Sequence, residues 1–315
     1  MLDDLLFIIN IVLPVFLLVI VGIFLKLLKV VDDNFVKITS GFVFKVSLPM
    51  LVFMELYDVN LERTIDFKMI LIVCAGIIIT YFIGLTVAKT LKLKPEDEGV
   101  FVQGAFRSNY AIVGLAIILR MFGTEALSKA SFLLLFALPI YNLLGVIALT
   151  TPHTTNNKLN MKKTLLEIAT NPLVLGVIAS MPFSIFKIHL HETIETTGNY
   201  LADISLPLAL TGIGASINTK SIKEASGLAF GSTFIKNIVS PLLVMFIGFI
   251  LNVVNEDFGI LFIIFSCPTA IASFIMASSM KGNAKLAGNI VLISTLGSIF
   301  TMTLGLFCLR YFKII

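Results

Sequence analysis

The chain has 315 residues, 57% of them hydrophobic and only 13% charged, with a mean hydropathy of +1.01. Soluble domains run at about 45–50% apolar and 25% charged, so the apolar residues must fill many membrane segments. Ten spans of roughly 20–25 residues would use about 230 residues and leave no room for a soluble domain, which excludes a membrane-anchored soluble enzyme, kinase or nucleic-acid-binding module.

Apolar runs bounded by charge, Gly and Pro predict spans near 5–28, 35–57, 67–91, 98–121 and 127–150. A polar, basic linker with Pro152, Asn156, Lys158, Lys162 and Lys163 follows. Five more spans are expected near 164–186, 194–217, 227–252, 258–280 and 286–310. The first run follows Asp3 and Asp4 and lacks a cleavage pattern, so it reads as a retained span rather than a signal peptide. Cys74, Cys267 and Cys308 are isolated and give no disulfide framework or metal spacing. No cofactor motif is present.

With the N-terminus outside, thirteen Lys and Arg fall on inner loops and seven on outer segments, and the loop with Glu256 and Asp257 carries no basic residue. The positive-inside rule then places both termini outside the cytoplasm of a multi-pass cell-membrane protein. The net charge of +4 follows from that loop bias and does not indicate nucleic acid.

The linker divides the chain into residues 1–150, a cytoplasmic connection at 151–163, and residues 164–315. A shift of 158 lays Pro14 on Pro172 and Ser47-Leu48-Pro49 on Ser205-Leu206-Pro207. A shift of 159 lays Ser108-Asn109 on Cys267-Pro268 and Ala111-Ile112 on Ala270-Ile271. Five spans per half is an odd number, so the second half enters the membrane in the opposite sense. The expected fold is all-α, ten transmembrane helices in two inverted five-helix repeats.

Span 4 is interrupted by Gly104-Ala105-Phe106-Arg107-Ser108-Asn109-Tyr110 near the bilayer midplane, where polar groups need a partner or a cavity. Span 9 is interrupted by Ser266-Cys267-Pro268-Thr269, with Ser273 just beyond. A helix-interior proline removes a donor and clashes with the carbonyl four residues earlier. Spans 4 and 9 are therefore candidates for broken helices whose half-helix N-termini would attract a carboxylate. The alternative is a kinked, packed helix with Asn109 bonded to a neighbour.

Four ionisable residues fall inside the spans: Lys45, Arg107, Asp203 and Lys236. Intramembrane charge marks a functional position by default. Lys45 and Asp203 each precede a proline by four residues and hold equivalent repeat positions, so they could face one another. Asp203 would serve either as a proton or cation carrier or as an ion-pair partner of Lys45 or Lys236. Arg107 would grip a carboxylate or be a fixed partner to helix carbonyls or an acid. Three positive charges against one negative favour an anionic substrate. The H-x-H of His189 and His191 reads as surface, and Gly212-Ile213-Gly214-Ala215-Ser216 as close helix packing.

The sequence resembles the auxin efflux carrier family, which includes plant auxin exporters and bacterial carriers of malonate, malate and similar acids. The resemblance spans essentially the whole chain. It rests on Arg107-Ser108-Asn109-Tyr110 followed by Gly114, the Ser-Leu-Pro of span 2, Asn171-Pro172, and Cys267-Pro268-Thr269-Ala270. It implies a fold like that of the bile-acid/sodium symporters, crossing broken helices 4 and 9, and Asn109 at the substrate site. It also implies an elevator arrangement with spans 1, 2, 6 and 7 as scaffold, through which a homodimer could form. The chain departs from the family at Ala116, where proline is frequent, and at Ser108, where the plant proteins carry proline. It also lacks their long hydrophilic loop, so auxin is not the expected substrate.

The expected function is secondary transport of a small organic anion, a mono- or dicarboxylate, with H⁺ or Na⁺ as coupling ion. The expected substrate-binding residues are Arg107, Ser108, Asn109, Tyr110, Cys267, Pro268, Thr269 and Ser273, with Lys45, Asp203 and Lys236 as coupling or charge-pair residues. The alternatives are an anion channel, a receptor or a membrane-embedded enzyme. The last would need a nucleophile with its base, or a metal cluster, and the sequence offers only scattered Ser, Cys and Asp.

Overall fold

The computed structural model describes residues 2–58, 66–153, 166, 170–216, 227–280 and 282–315. Arg63, the linker lysines at 158, 162 and 163, and Lys220, Lys223 and Lys281 lie outside them. The described chain is helical almost throughout, and six helices are long and apolar enough to cross a membrane: Leu6–Leu27, Asp33–Leu56, Phe67–Thr90, Thr124–Thr150, Gly227–Ile250 and Ala284–Tyr311. The protein is thus a polytopic, all-α membrane protein.

In chain order the first half contains α1 (Leu2–Leu27), α2 (Asp33–Phe42), α3 (Leu48–Leu56), α4 (Phe67–Thr90), α5 (Pro95–Phe106), α6 (Leu115–Phe122) and α7 (Thr124–Thr150). The second contains α8 (Pro172–Phe186), α9 (Glu192–Asp203), α10 (Ser205–Ser216), α11 (Gly227–Phe234) and α12 (Ser240–Ile250). It ends with α13 (Asn255–Ser266), α14 (Ile271–Ser279) and α15 (Ala284–Tyr311).

Local chemistry sets many of the helix starts. The Asp66 carboxylate accepts from Lys68 N at 2.8 Å and Met69 N at 3.1 Å, capping α4. Asn171 accepts from Leu173 N at 3.0 Å while Pro172 fills the first helical position of α8, where its missing N–H costs nothing. Asn283 caps α15 through Leu286 N, and its amide donates to Asp97 Oδ1 at 2.7 Å, which ties the start of α15 to the start of α5.

Prolines account for several interruptions. α2 passes into α3 through a π turn at Val43–Ser47, immediately before Leu48-Pro49, and α11 passes into α12 through one at Ile235–Val239, before Ser240-Pro241. The wider turn accommodates the hydrogen bond that each proline cannot make. Span 7, expected as one run over 194–217, is divided at Ile204 into α9 and α10. Pro207 lies four residues past Asp203, whose carbonyl its ring would crowd. For span 6 the described helix covers Pro172–Phe186, and the expected start at 164 lies outside the described residues.

α1 packs against α10, and α8 against α3. The first contact is a reciprocal close approach: a Cβ on Gly22 would collide with Thr211 O, and one on Gly214 with Val19 O. Small residues let backbones meet where no hydrophobic force separates helix from lipid. At the centre, every residue from Gly99 to Tyr110 and from Phe258 to Ala270 is buried. The two interrupted spans form the interior around which the others are arranged.

Candidate functional site

The interruption in span 4 is narrower than the polar stretch that announced it. α5 continues to Phe106, and the backbone becomes extended at Arg107 (φ −76°, ψ 110°). A π turn at Tyr110–Gly114 then leads into α6. In span 9, α13 ends at Ser266, Cys267 is extended (φ −56°, ψ 148°), and α14 begins at Ile271.

These two extended stretches meet. Ser108 and Thr269 pair as an antiparallel bridge, with Asn109 N donating to Pro268 O at 2.9 Å and Ala270 N to Arg107 O at 3.2 Å. Helices that end in mid-protein leave their last carbonyls unsatisfied, and here each break serves the other. Ser108 Oγ donates to Ile264 O at 2.6 Å, in the last turn of α13. Thr269 Oγ1 donates to Gly104 O at 2.7 Å, in the last turn of α5. Thr269 N donates to Ser294 Oγ of α15 at 3.0 Å. Non-helical backbone at membrane depth is tolerable only when enclosed and satisfied in this way.

The expected substrate residues therefore separate by what their side chains already do. Ser108 and Thr269 join the breaks. Arg107 is buried and committed to α7, with Nη1 donating to Tyr141 O at 3.1 Å and Nη2 to Asn142 Oδ1 at 2.8 Å. Its Nη1 also lies 3.3 Å from Met276 Sδ of α14. Of the two roles open to it, the structure gives it the fixed partners. Cys267 is fully buried, with its sulfur beside Gly114, and Pro268 contributes its carbonyl to the bridge.

Asn109 and Ser273 differ. Asn109 is buried, yet its amide caps no helix nitrogen and makes no hydrogen bond among the described residues. Ser273, in the first turn of α14, is buried with Oγ unbonded. Both lie at half-helix N-termini, one beginning at Tyr110 and one at Ile271, where backbone N–H groups lack intrahelical acceptors and the dipole is positive. Among the described residues the Tyr110 hydroxyl is likewise buried without a partner.

The structure does not bring Lys45, Asp203 and Lys236 together. Lys45 is exposed in a groove with Pro49, Phe53 and Leu201. Asp203 is exposed in a separate cavity of about 240 Å³ with Pro14, Arg120 and Pro207. No ion pair joins Asp203 to Lys45 or Lys236 among the described residues. The expected Lys45–Asp203 encounter fails because the two residues line different hollows. Lys236 is fully buried and donates to Phe265 O at 2.5 Å. The histidines are peripheral: His189 lies 3.6 Å from Asp58, and His191 caps α9 by accepting from Thr193 N.

A larger cavity of about 780 Å³ lies between α2 and α10 on one side and α14 and α15 on the other. Its wall includes Ile271, the first residue of α14, and Asp33, Lys37 and Lys285 also line it. The cavity approaches the crossover at the α14 N-terminus through Ile271, and neither Asn109 nor Ser273 lines it. Sequence reasoning missed Tyr141, Asn142 and Ser294 as supports of the crossover. Asn142 interrupts an apolar run in span 5 and gave a signal. Ser294 sits in an ordinary small-residue stretch and gave none.

A family model described as a membrane transport protein matches residues 7–161 and 150–306. The chain is similar to an uncharacterized transporter of Methanocaldococcus jannaschii, 25% identical over 304 residues covering 94% of this chain and 96% of that protein. It is also similar to an uncharacterized transporter of Methanothermobacter thermautotrophicus, 23% identical over 297 residues covering 93% and 95%.

Proposed function

Because the chain belongs to the membrane transport protein family over nearly its whole length, we propose that it is a secondary transporter carrying small organic anions, mono- or dicarboxylates, across the cell membrane. The observation that carries this reading is the chemistry left open at the crossover. At two half-helix N-termini the Ser273 hydroxyl is buried and unbonded, and Asn109, 7% exposed, makes no side-chain hydrogen bond among the described residues. Among the described residues the buried charged side chains are Arg107 and Lys236, both cations. An anion at this position would receive backbone and amide donors in a net positive setting, and a cation would not.

Inverted five-span repeats are supported by helix ends that recur 160 residues apart. α4 ends at Thr90 and α12 at Ile250; α5 covers Pro95–Phe106 and α13 Asn255–Ser266. Lys92 and Asn252 both adopt left-handed backbone, with φ of 51° and 52°. Leu93 N donates to Ala88 O and Val253 N to Gly248 O, the same closing turn. Exchange of the halves also interchanges the α1–α10 and α8–α3 contacts. These contacts suit a scaffold of spans 1, 2, 6 and 7. The large cavity, between α2 and α10 of that scaffold and α14 and α15, suits an elevator movement of the crossover past it.

The test is uptake of radiolabelled mono- and dicarboxylates by proteoliposomes, with carboxylate-induced thermal stabilisation of the purified protein as a second readout. At least one carboxylate is expected to accumulate and to stabilise the wild type. Absence of both for a full carboxylate panel, with uptake of a cationic or neutral solute instead, refutes the assignment.

A further inference from the structure

The anion reading uses Lys236 only for its charge and gives its ammonium no contact to the substrate. Its side chain is 0% exposed, on the π turn Ile235–Val239 that Pro241 requires. π turns inside helices recur at functional positions because they re-aim side chains. Here the ammonium is aimed at Phe265 O, 2.5 Å away in the last turn of α13. No buried carboxylate stands against it among the described residues.

The terminal carbonyls of α13 are the negative end of a half-helix dipole at membrane depth. Ile263 O receives Cys267 N at 3.1 Å, and Ile264 O receives Ser108 Oγ. Phe265 O receives the ammonium. Half-helix C-termini and unwound carbonyls of this kind are where secondary transporters hold a coupling cation. In this chain a covalently attached cation is already there, and burying it costs free energy that a neutral donor would not. A hydroxyl satisfies the neighbouring carbonyl, so hydrogen bonding alone does not require a charge.

We propose that Lys236 is a built-in counter-cation that occupies, at the end of α13, the place a coupling Na⁺ would take, so that anion transport by this protein is independent of sodium. The proposal rests on the transport reading above, and the test separates the two. Lys236→Ala removes the atoms beyond Cβ, and n-propylammonium restores them. Lys236→Met keeps the volume without the charge.

In proteoliposomes, wild-type carboxylate uptake should be equal in sodium and in choline media. Lys236→Ala should lose about 10- to 100-fold, the rate equivalent of one charge-assisted hydrogen bond, and regain activity with propylammonium. Lys236→Met should lose as much and not be rescued. In detergent, propylammonium at ten times its Kd should raise the Tm of Lys236→Ala by about 3 °C and leave wild type and Lys236→Met unchanged. Wild-type uptake that collapses in choline, or Lys236→Met transporting like wild type, overturns the proposal. If Lys236→Ala does not fold, the sodium comparison and Lys236→Met decide. If no carboxylate is transported, the transport reading fails, and the melting experiment still judges the cation: no propylammonium-dependent shift in Lys236→Ala overturns its role.

Discussion

Removing either hydroxyl that joins the two breaks should weaken the whole protein, and removing both should cost less than the sum. Ser108 Oγ reaches Ile264 O at 2.6 Å and Thr269 Oγ1 reaches Gly104 O at 2.7 Å, and both residues are buried. Ser108→Ala or Thr269→Val leaves one buried carbonyl without a donor, at about 1–3 kcal/mol each. Valine keeps the shape of threonine, so packing changes little at that site. The two bonds clamp the same bridge, held also by Asn109 N–Pro268 O and Ala270 N–Arg107 O. Once one is lost the bridge loosens and the second loses part of its value, giving a coupling of about 0.5–3 kcal/mol in a double-mutant cycle. For a chain of this size each single change should lower the melting temperature by about 2–6 °C. The assay is thermal unfolding in one detergent for wild type, both single variants and the double. Single variants that melt with the wild type, or losses that add without coupling, would refute the reciprocal clamp.

Other changes should separate the roles at the site. Arg107→Ala should lower stability by about 3 kcal/mol or more, because Asn142 Oδ1 and Tyr141 O lose a buried charged donor. Arg107→Lys, with no planar fork, should recover only part of the melting temperature. Gly214→Val should destabilise by about 1–3 kcal/mol, since its Cβ would meet Val19 O and force α1 from α10; an unchanged melting curve contradicts that contact. Ser273→Ala should leave stability within about 0.5 kcal/mol of wild type because its Oγ has no partner to lose, while carboxylate uptake falls.

Much of this arrangement is legible in the sequence, for identifiable reasons. Span positions follow from apolar runs whose lengths match the bilayer, and the described helix ends fall within a few residues of the expected ones for α1, α4, α7 and α15. The break in span 9 follows from Pro268, and that in span 4 from a polar cluster where apolar residues belong. The division of span 7 is not legible in hydropathy, because Pro207 lies in an apolar context that reads as continuous. The partners were least legible. Nothing in the order of residues says that Ser108 bonds Ile264, or that Thr269 bonds Gly104, because each bond spans more than 150 residues and depends on two chains of helix crossing. The intramembrane charges were found by position, but their directions were not. Equal spacing to proline gives Lys45 and Asp203 equivalent repeat positions, but they line separate hollows. Arg107 precedes the proposed substrate residue directly, and the extended backbone there turns its guanidinium toward α7 instead.

The central claim is that the Asn109 amide is reserved for the transported anion. Asn109→Ala removes a side chain that bonds nothing among the described residues, so the fold should stay intact. Carboxylate uptake into proteoliposomes, measured beside the melting curve of the same preparation, tests it directly. The account predicts a melting temperature within about 2 °C of wild type and uptake reduced at least about 10-fold, the value of one hydrogen bond to a charged group. Wild-type uptake by a well-folded Asn109→Ala protein would contradict it.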